Sequence, residues 1–251
     1  MAIDLKLWNE TFQKKALPSW PCPRCDSGRL TLGEKQLKVF EPAYSAADHG
    51  HEAWEPDWMV ERFIALMRCG DKVCGETVLV IGDTEFVEEF DEEYGPVPAS
   101  HLRPRSIFPA PPIITIPGET PAEVSRQIEL AFQLYWSDLS AASNRLRTSV
   151  ERLLDDFKIA KGFTDPKTKK KLFRSLSSRI DLFKKKQPNH AESLDALRYV
   201  GNVGTHSEVS RQAILAAFEI YEEALAEIYG HRTRRIKKLV KTIRKTKGRM
   251  R

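Results

Sequence analysis

The chain has 251 residues, 41% of them apolar, with five Trp and twelve Phe, enough for two modest cores. Its formal charge of +5 is unevenly placed, because residues 231–251 carry eleven Lys or Arg and no acid, which leaves the rest net acidic. No apolar run approaches the roughly 20 residues that cross a bilayer, and the first residues lack the basic-then-apolar form of a signal peptide, so a cytoplasmic chain with no membrane partner is expected.

In chain order the first informative element is Cys22-Pro23-Arg24-Cys25, answered by Cys69 and Cys74, the only other cysteines. Two close thiol pairs on separate knuckle turns predict one Cys₄ shell for a structural Zn²⁺. Two disulfides, a redox C-x-x-C and four unrelated buried thiols are the alternatives. A cytosolic setting disfavours the disulfides, and the strand-like runs Leu30–Leu32 and Leu37–Phe40 give no βαβ context for a redox site. His49 and His51 lie between the pairs and are read as loop residues. The sequence thus predicts a small zinc ribbon over residues 1–95. Asp83 to Glu93 then places seven carboxylates in eleven residues. Eight prolines follow between residues 95 and 121, which precludes regular helix and predicts an extended linker over 96–120.

From Thr120-Pro121-Ala122-Glu123, an N-cap pattern, the period turns helical. One helix is predicted to about Trp136. A second carries Leu146, Val150, Leu153 and Phe157, and a third Leu172, Leu176, Ile180 and Phe183. A fourth starts in capping-box form at Asn189 and carries Leu194, Leu197 and Val200, and a fifth runs along Val209, Ala213, Ala217, Ile220, Ala224 and Ile228. The predicted fold class is α+β: a small N-terminal β-rich ribbon, an antiparallel five-helix bundle over 121–230, and a basic tail over 231–251.

Within the bundle, Arg198-Tyr199-Val200-Gly201-Asn202-Val203-Gly204-Thr205-His206 sets Arg198, Asn202 and His206 toward one side of a helix. Its two glycines are explained by close helix packing, or by a helix end at Gly204 and a new N-cap at Thr205. An ion pair of Arg198 with Glu151 is the structural alternative for that arginine. With Arg145 to Leu154 on the second helix, this segment resembles the uncharacterised bacterial branch of the HEPN superfamily, whose members often carry a cysteine ribbon before the helices. The resemblance covers roughly residues 105–230. It implies a homodimer through the bundle, RNA as partner, a prokaryotic defence or stress role and, in active members, a metal-independent endoribonuclease. Carried over, Arg198 resembles the phosphate-binding arginine, His206 the general acid/base and Asn202 an orienting amide. Seven residues separate Arg198 from His206 here, against the family's four to six. Inactive members imply instead a binding or regulatory module, and a protein-protein adaptor is the alternative class.

The tail sets Ile236, Leu239, Val240 and Ile243 at helical spacing among Arg234, Arg235, Lys237, Lys238, Lys241, Arg244 and Lys245, an expected continuation of the fifth helix. Those seven cations are the candidate nucleic-acid contacts, which would neutralise phosphates without reading sequence. A solvated tail, docking on the acidic 83–93 stretch and a dimer contact through the apolar face are the alternatives. Lys167, Lys169, Lys170, Lys171 and Lys184 to Lys186 add charge at both ends of the third helix. No phosphate loop, nucleophile elbow or H-E-x-x-H occurs.

Overall fold

Residues 62–69 alternate strictly, with Phe63, Ala65, Met67 and Cys69 buried and the positions between them more exposed, the period-2 mark of a strand with one face on a core. The computed structural model describes residues 3–14, 17–25, 27–206, 209–230 and 232–247. The chain divides into a sheet unit, Asp4–Ile113 with Phe132–Asp138, and a helical unit, Ile114–Ala131 with Leu139–Arg251.

The sheet unit is built on β1 (Phe12–Gln13), β2 (Leu30–Phe40), β3 (Arg62–Cys69), β4 (Thr77–Asp91) and β5 (Gly95–Phe108), in spatial order β1-β5-β4-β3-β2. Every neighbouring pair is antiparallel. A short helix, α1 (Ala43–Asp48), lies between β2 and β3 in sequence. The buried face carries Leu30, Phe63, Ala65, Met67, Val78, Val80, Leu102 and Ile107. An aromatic cluster of Trp8, Phe12, Trp20, Tyr135 and Trp136 completes the core, with Trp20 and Trp136 ring centres 5.4 Å apart. The Tyr135 hydroxyl donates to Trp8 O at 2.7 Å, so its burial leaves no stranded polar atom. Glu61 is the polar pin of this sheet, accepting at Oε2 from Lys14 Nζ (2.8 Å), Thr84 Oγ1 (3.0 Å) and Ser100 Oγ (3.1 Å).

The expected fold class is corrected here. A large five-stranded sheet replaces the small ribbon, and among the described residues seven helices replace the five-helix bundle. The stretch read as the start of the linker is β5, paired with β4 from Asp91↔Gly95 to Leu79↔Phe108. Its prolines sit where a strand tolerates them. Pro96 and Pro98 lie beyond the two-residue β1, where β5 is an edge, and Pro104 lies beside the register shift at Ile81/Gly82. The acidic run is strand as far as Asp91, and three of its seven acids face bases across the hairpin. Arg105 Nε meets Asp83 Oδ1 at 3.1 Å, Arg103 Nη1 meets Glu85 Oε2 at 3.1 Å, and His101 Nε2 meets Glu89 Oε1 at 2.6 Å.

The helical unit holds α2 (Ala122–Leu134), α3 (Leu139–Asp156), α4 (Leu176–Lys184), α5 (Ala191–His206) and α6 (Arg211–Ile228); of the predicted stripes Phe157, Leu172 and Val209 fall outside α3, α4 and α6, and α7 (Arg232–Thr246) follows Gly230 as a separate helix. A hairpin of β6 (Gly162–Thr164) and β7 (Lys171–Phe173) occupies the start assigned to the third helix, so Lys167 to Lys171 lie in and beside its turn. Ser175 caps α4 and Ser210 caps α6, each accepting from the amide three residues on, at 3.2 and 3.1 Å. The helix continues through Gly204, so Thr205 starts no new one. Thr120 Oγ1 is buried without a hydrogen-bond partner and does not cap α2. The core holds Ile128, Leu146, Val150, Leu153, Phe183, Leu194, Leu197, Phe218 and Leu225. Arg179, 6% exposed, is held by Asp155 Oδ1 at 2.7 Å and Ile159 O at 3.1 Å, which satisfies a charge the core would otherwise reject.

Candidate functional site

The two cysteine knuckles are closed by backbone before any metal is considered. Cys22 N donates to Gly28 O at 3.0 Å, and Leu30 N to Trp20 O at 2.8 Å. On the other side Cys69 N donates to Glu76 O at 2.8 Å and Gly75 N to Asp71 O at 2.9 Å, with Gly75 at φ +58, a left-handed turn that suits glycine. Gly70 N bonds Arg29 O at 2.8 Å and ties the two turns together.

All four sulfurs lie within 4.8 Å of one another, with Cys22 Sγ to Cys74 Sγ and Cys25 Sγ to Cys69 Sγ both 3.7 Å. A disulfide needs about 2.05 Å, and all four cysteines are free. A tetrahedral thiolate shell with metal–sulfur bonds of about 2.3 Å spaces its sulfurs by about 3.8 Å. The four thiols therefore form a cluster compatible with a metal site. Backbone amides face the sulfurs: Arg24 N reaches Cys22 Sγ at 3.3 Å, and the amides of Gly28, Asp71 and Glu76 bond Cys25, Cys69 and Cys74. Donors of this kind stabilise thiolate rather than thiol.

Without a cation the thiols split. Burial pushes Cys25 up, but hydrogen bonds from Cys74, the Gly28 amide and the other thiols outweigh it and bring it below the ordinary range. Burial pushes the Cys69 thiol up to about 12, with its three neighbours adding to the rise. Cys74 is also raised, its Glu76 amide bond being outweighed by burial and by Cys25 and Cys22. A cation bound among the sulfurs would favour the thiolate form of Cys69 and Cys74 against that rise.

Gly28 is a residue of this centre that motif reading missed. A Cβ there would lie 2.7 Å from Cys25 Sγ and closer still to Cys69 Sγ, so the cluster fits only over a bare backbone. The signal was a glycine three residues past the second cysteine. His49 and His51 are occupied elsewhere, His49 Nε2 at 2.8 Å from Glu41 Oε1 and His51 Nδ1 accepting from Ala53 N at 3.1 Å.

The second candidate, on α5, is arranged differently. Arg198 Nε pairs with Asp195 Oδ1 at 2.6 Å, and its guanidinium lies 4.1 Å from the Tyr199 ring centre. The Asp195 bond raises the arginine's already high pKa further. Asn202 Oδ1 accepts from Arg147 Nη1 at 2.7 Å, and Arg147 Nε lies 3.9 Å from Glu151 Oε1. Glu151 is thus paired with Arg147, not Arg198. Gly201 explains the contact of α3 with α5, since a Cβ there would sit 2.6 Å from Arg147 Cβ. The backbone of His206 ends α5, and its side chain lies outside the described residues.

On α7, Lys238, Lys241, Arg244 and Lys245 are exposed; the side chains of Arg234, Arg235 and Lys237 lie outside the described residues. No helix in the described residues is long and apolar enough to cross a membrane.

Comparison with known families gives two matches, one towards each end of the chain. Residues 10–102 match a domain of unknown function, DUF8608, which spans all four cysteines. Residues 129–246 match a second domain of unknown function, DUF4145, which spans the Arg198 cluster and α7. Neither description names a HEPN domain. No curated protein and no solved structure matches the chain.

Proposed function

We propose that this is a nucleic-acid-engaging protein, directed to RNA, with a structural zinc on Cys22, Cys25, Cys69 and Cys74 and with α7 as its phosphate-contacting element. Zinc suits a tetrahedral four-sulfur set and, when bound, supplies cross-linking of the two knuckles and no reaction. The observation that carries the RNA reading is α7 itself, whose fifteen residues include eight Lys or Arg and no acid. The HEPN resemblance of the helical unit supports RNA over DNA and brings with it the prokaryotic defence or stress setting.

The helical unit is read as a non-cleaving module, because Arg198 and Asn202 already have partners in Asp195 and Arg147. A metal-independent endoribonuclease is the second reading, favoured by Arg198 and Asn202 lying one turn apart on α5, with His206 one turn further. It requires Arg198 to exchange Asp195 for a phosphate.

Labelled single-stranded RNA, titrated with full-length protein in EDTA at several salt concentrations, separates the readings. The expected result is binding without cleavage, with log K falling linearly with log salt and a slope that flattens by about 0.7 for each cation removed in Lys238→Ala, Lys241→Ala and Arg244→Ala. Cleavage abolished by Arg198→Ala moves the assignment to the nuclease. Neither binding nor cleavage overturns both and leaves a protein-protein adaptor.

A further inference from the structure

Two exposed surfaces of this chain complement each other in length, charge and apolar content. The first is α7. Ile236, Leu239, Val240 and Ile243 fall at i, i+3, i+4 and i+7 and so form one stripe, yet they are 51%, 38%, 49% and 46% exposed. Lys238, Lys241, Arg244 and Lys245 rim it. The second is the outer arm of the β4–β5 hairpin. On one face of that arm Phe86, Glu88 and Phe90 lie opposite Ser100, Pro98 and Pro96. Phe90 is 79% exposed, and Glu88, Glu92, Pro96 and Pro98 are exposed beside it. This is an aromatic and proline strip with one carboxylate, Glu88, between its two Phe and another, Glu92, past its end. At 1.5 Å per residue α7 is about 22 Å long, and the six-residue arm at 3.4 Å per residue is about 20 Å long.

We infer that the apolar stripe of α7 is covered by the acidic β4–β5 arm of a second copy of this chain. Each copy offers both surfaces, so in a closed dimer of the kind inferred the contact forms twice, about a two-fold axis. Nucleic acid would neutralise the bases but leave four aliphatic side chains in water. A bilayer surface would take the aliphatics, but this face carries no Trp or Phe anchor. The acidic aromatic arm meets both needs at once. The pairing stands on these two surfaces alone; a corollary, that dimerisation and RNA compete for α7, rests on the preceding proposal as well.

The test is sedimentation of nuclease-treated, full-length protein over a range of concentrations at low salt. Wild type is expected to dimerise, and Phe90→Ser to weaken the dimer by about ten-fold, as removal of an exposed aromatic anchor does. Glu88→Lys with Glu92→Lys, and separately Lys238→Glu with Lys241→Glu, are expected to be monomers alone, since each then sets like charges against each other. An equimolar mixture of the two double variants restores both contacts and is expected to dimerise. All these positions are exposed, and circular dichroism confirms folding before sedimentation. Monomeric wild type, a monomeric mixture, a dimer indifferent to every variant, or association that disappears on nuclease treatment each overturns the pairing. RNA binding by a wild type that stays monomeric would sink this inference and leave the RNA reading standing.

Discussion

The cysteine centre and the Arg198 cluster are both groups of polar side chains gathered from distant parts of the chain, and they differ in whether the gathering is complete. In the sheet unit four like groups converge, backbone amides point at them, and among the described residues no basic side chain is paired with them. In the helical unit Arg198 has Asp195, and Arg147 has Asn202 and Glu151. The first arrangement is compatible with a bound cation, which would balance its thiolates. The second is already balanced. Convergence alone therefore does not mark a site; convergence with an unmet charge does.

The strongest way to break this contrast is to remove the proposed metal from one side of it. Stripping the metal, or Cys69→Ser, is expected to cost the sheet unit about 3 kcal/mol or more, a fall of roughly 15 °C in its melting temperature, while the helical transition stays in place. Calorimetry with and without chelator checks it. Gly28→Ala is expected to approach that loss, because its new methyl occupies the sulfur cluster. Next comes Gly201→Ala. Alanine gains about 1 kcal/mol of helix propensity over glycine, yet the Cβ collides with Arg147, so denaturant titration should show a net loss of about 1 kcal/mol or more.

Smaller effects come from pH. Lys14, Thr84 and Ser100 outweigh burial and hold Glu61 below the ordinary carboxylate range, and Lys161 and Arg179 do the same for Asp155. The fold then binds fewer protons than the unfolded chain, so both units keep this stability above about pH 4.5 and lose it as pH falls. Burial raises Tyr221 and Tyr229, the latter also through Asp156. Their contribution is full below about pH 10 and is lost as pH rises, so the helical unit should show an alkaline limb of its own. Glu61→Gln is expected to flatten the acid limb of the sheet unit alone. The smallest effect belongs to α7, where Lys238→Ala and Lys241→Ala should change stability by less than about 0.5 kcal/mol while changing RNA affinity.

Much of this contrast was legible in the sequence and some was not. The cysteines were visible because they are chemically alike and come in pairs with turn residues between them. The apolar stripes of four helices were visible because helical period is a local property. The β4–β5 hairpin was hidden because its prolines occupy edge and bulge positions that only the register reveals, and because Arg103, Arg105 and His101 face its acids only across the ladder. The partners of Arg198 and Arg147 were hidden for the same reason. Glu151 and Asp195 were both available, and only the packing of α5 on α3 at Gly201 decides between them.

The metal content of the purified chain tests the central claim most directly. Elemental analysis is expected to find one zinc per chain, released by a thiol-modifying mercurial together with amide protection in β2, β3 and the two knuckles, and absent from folded or unfolded Cys69→Ser. A wild-type chain that carries no metal and keeps that protection would contradict it.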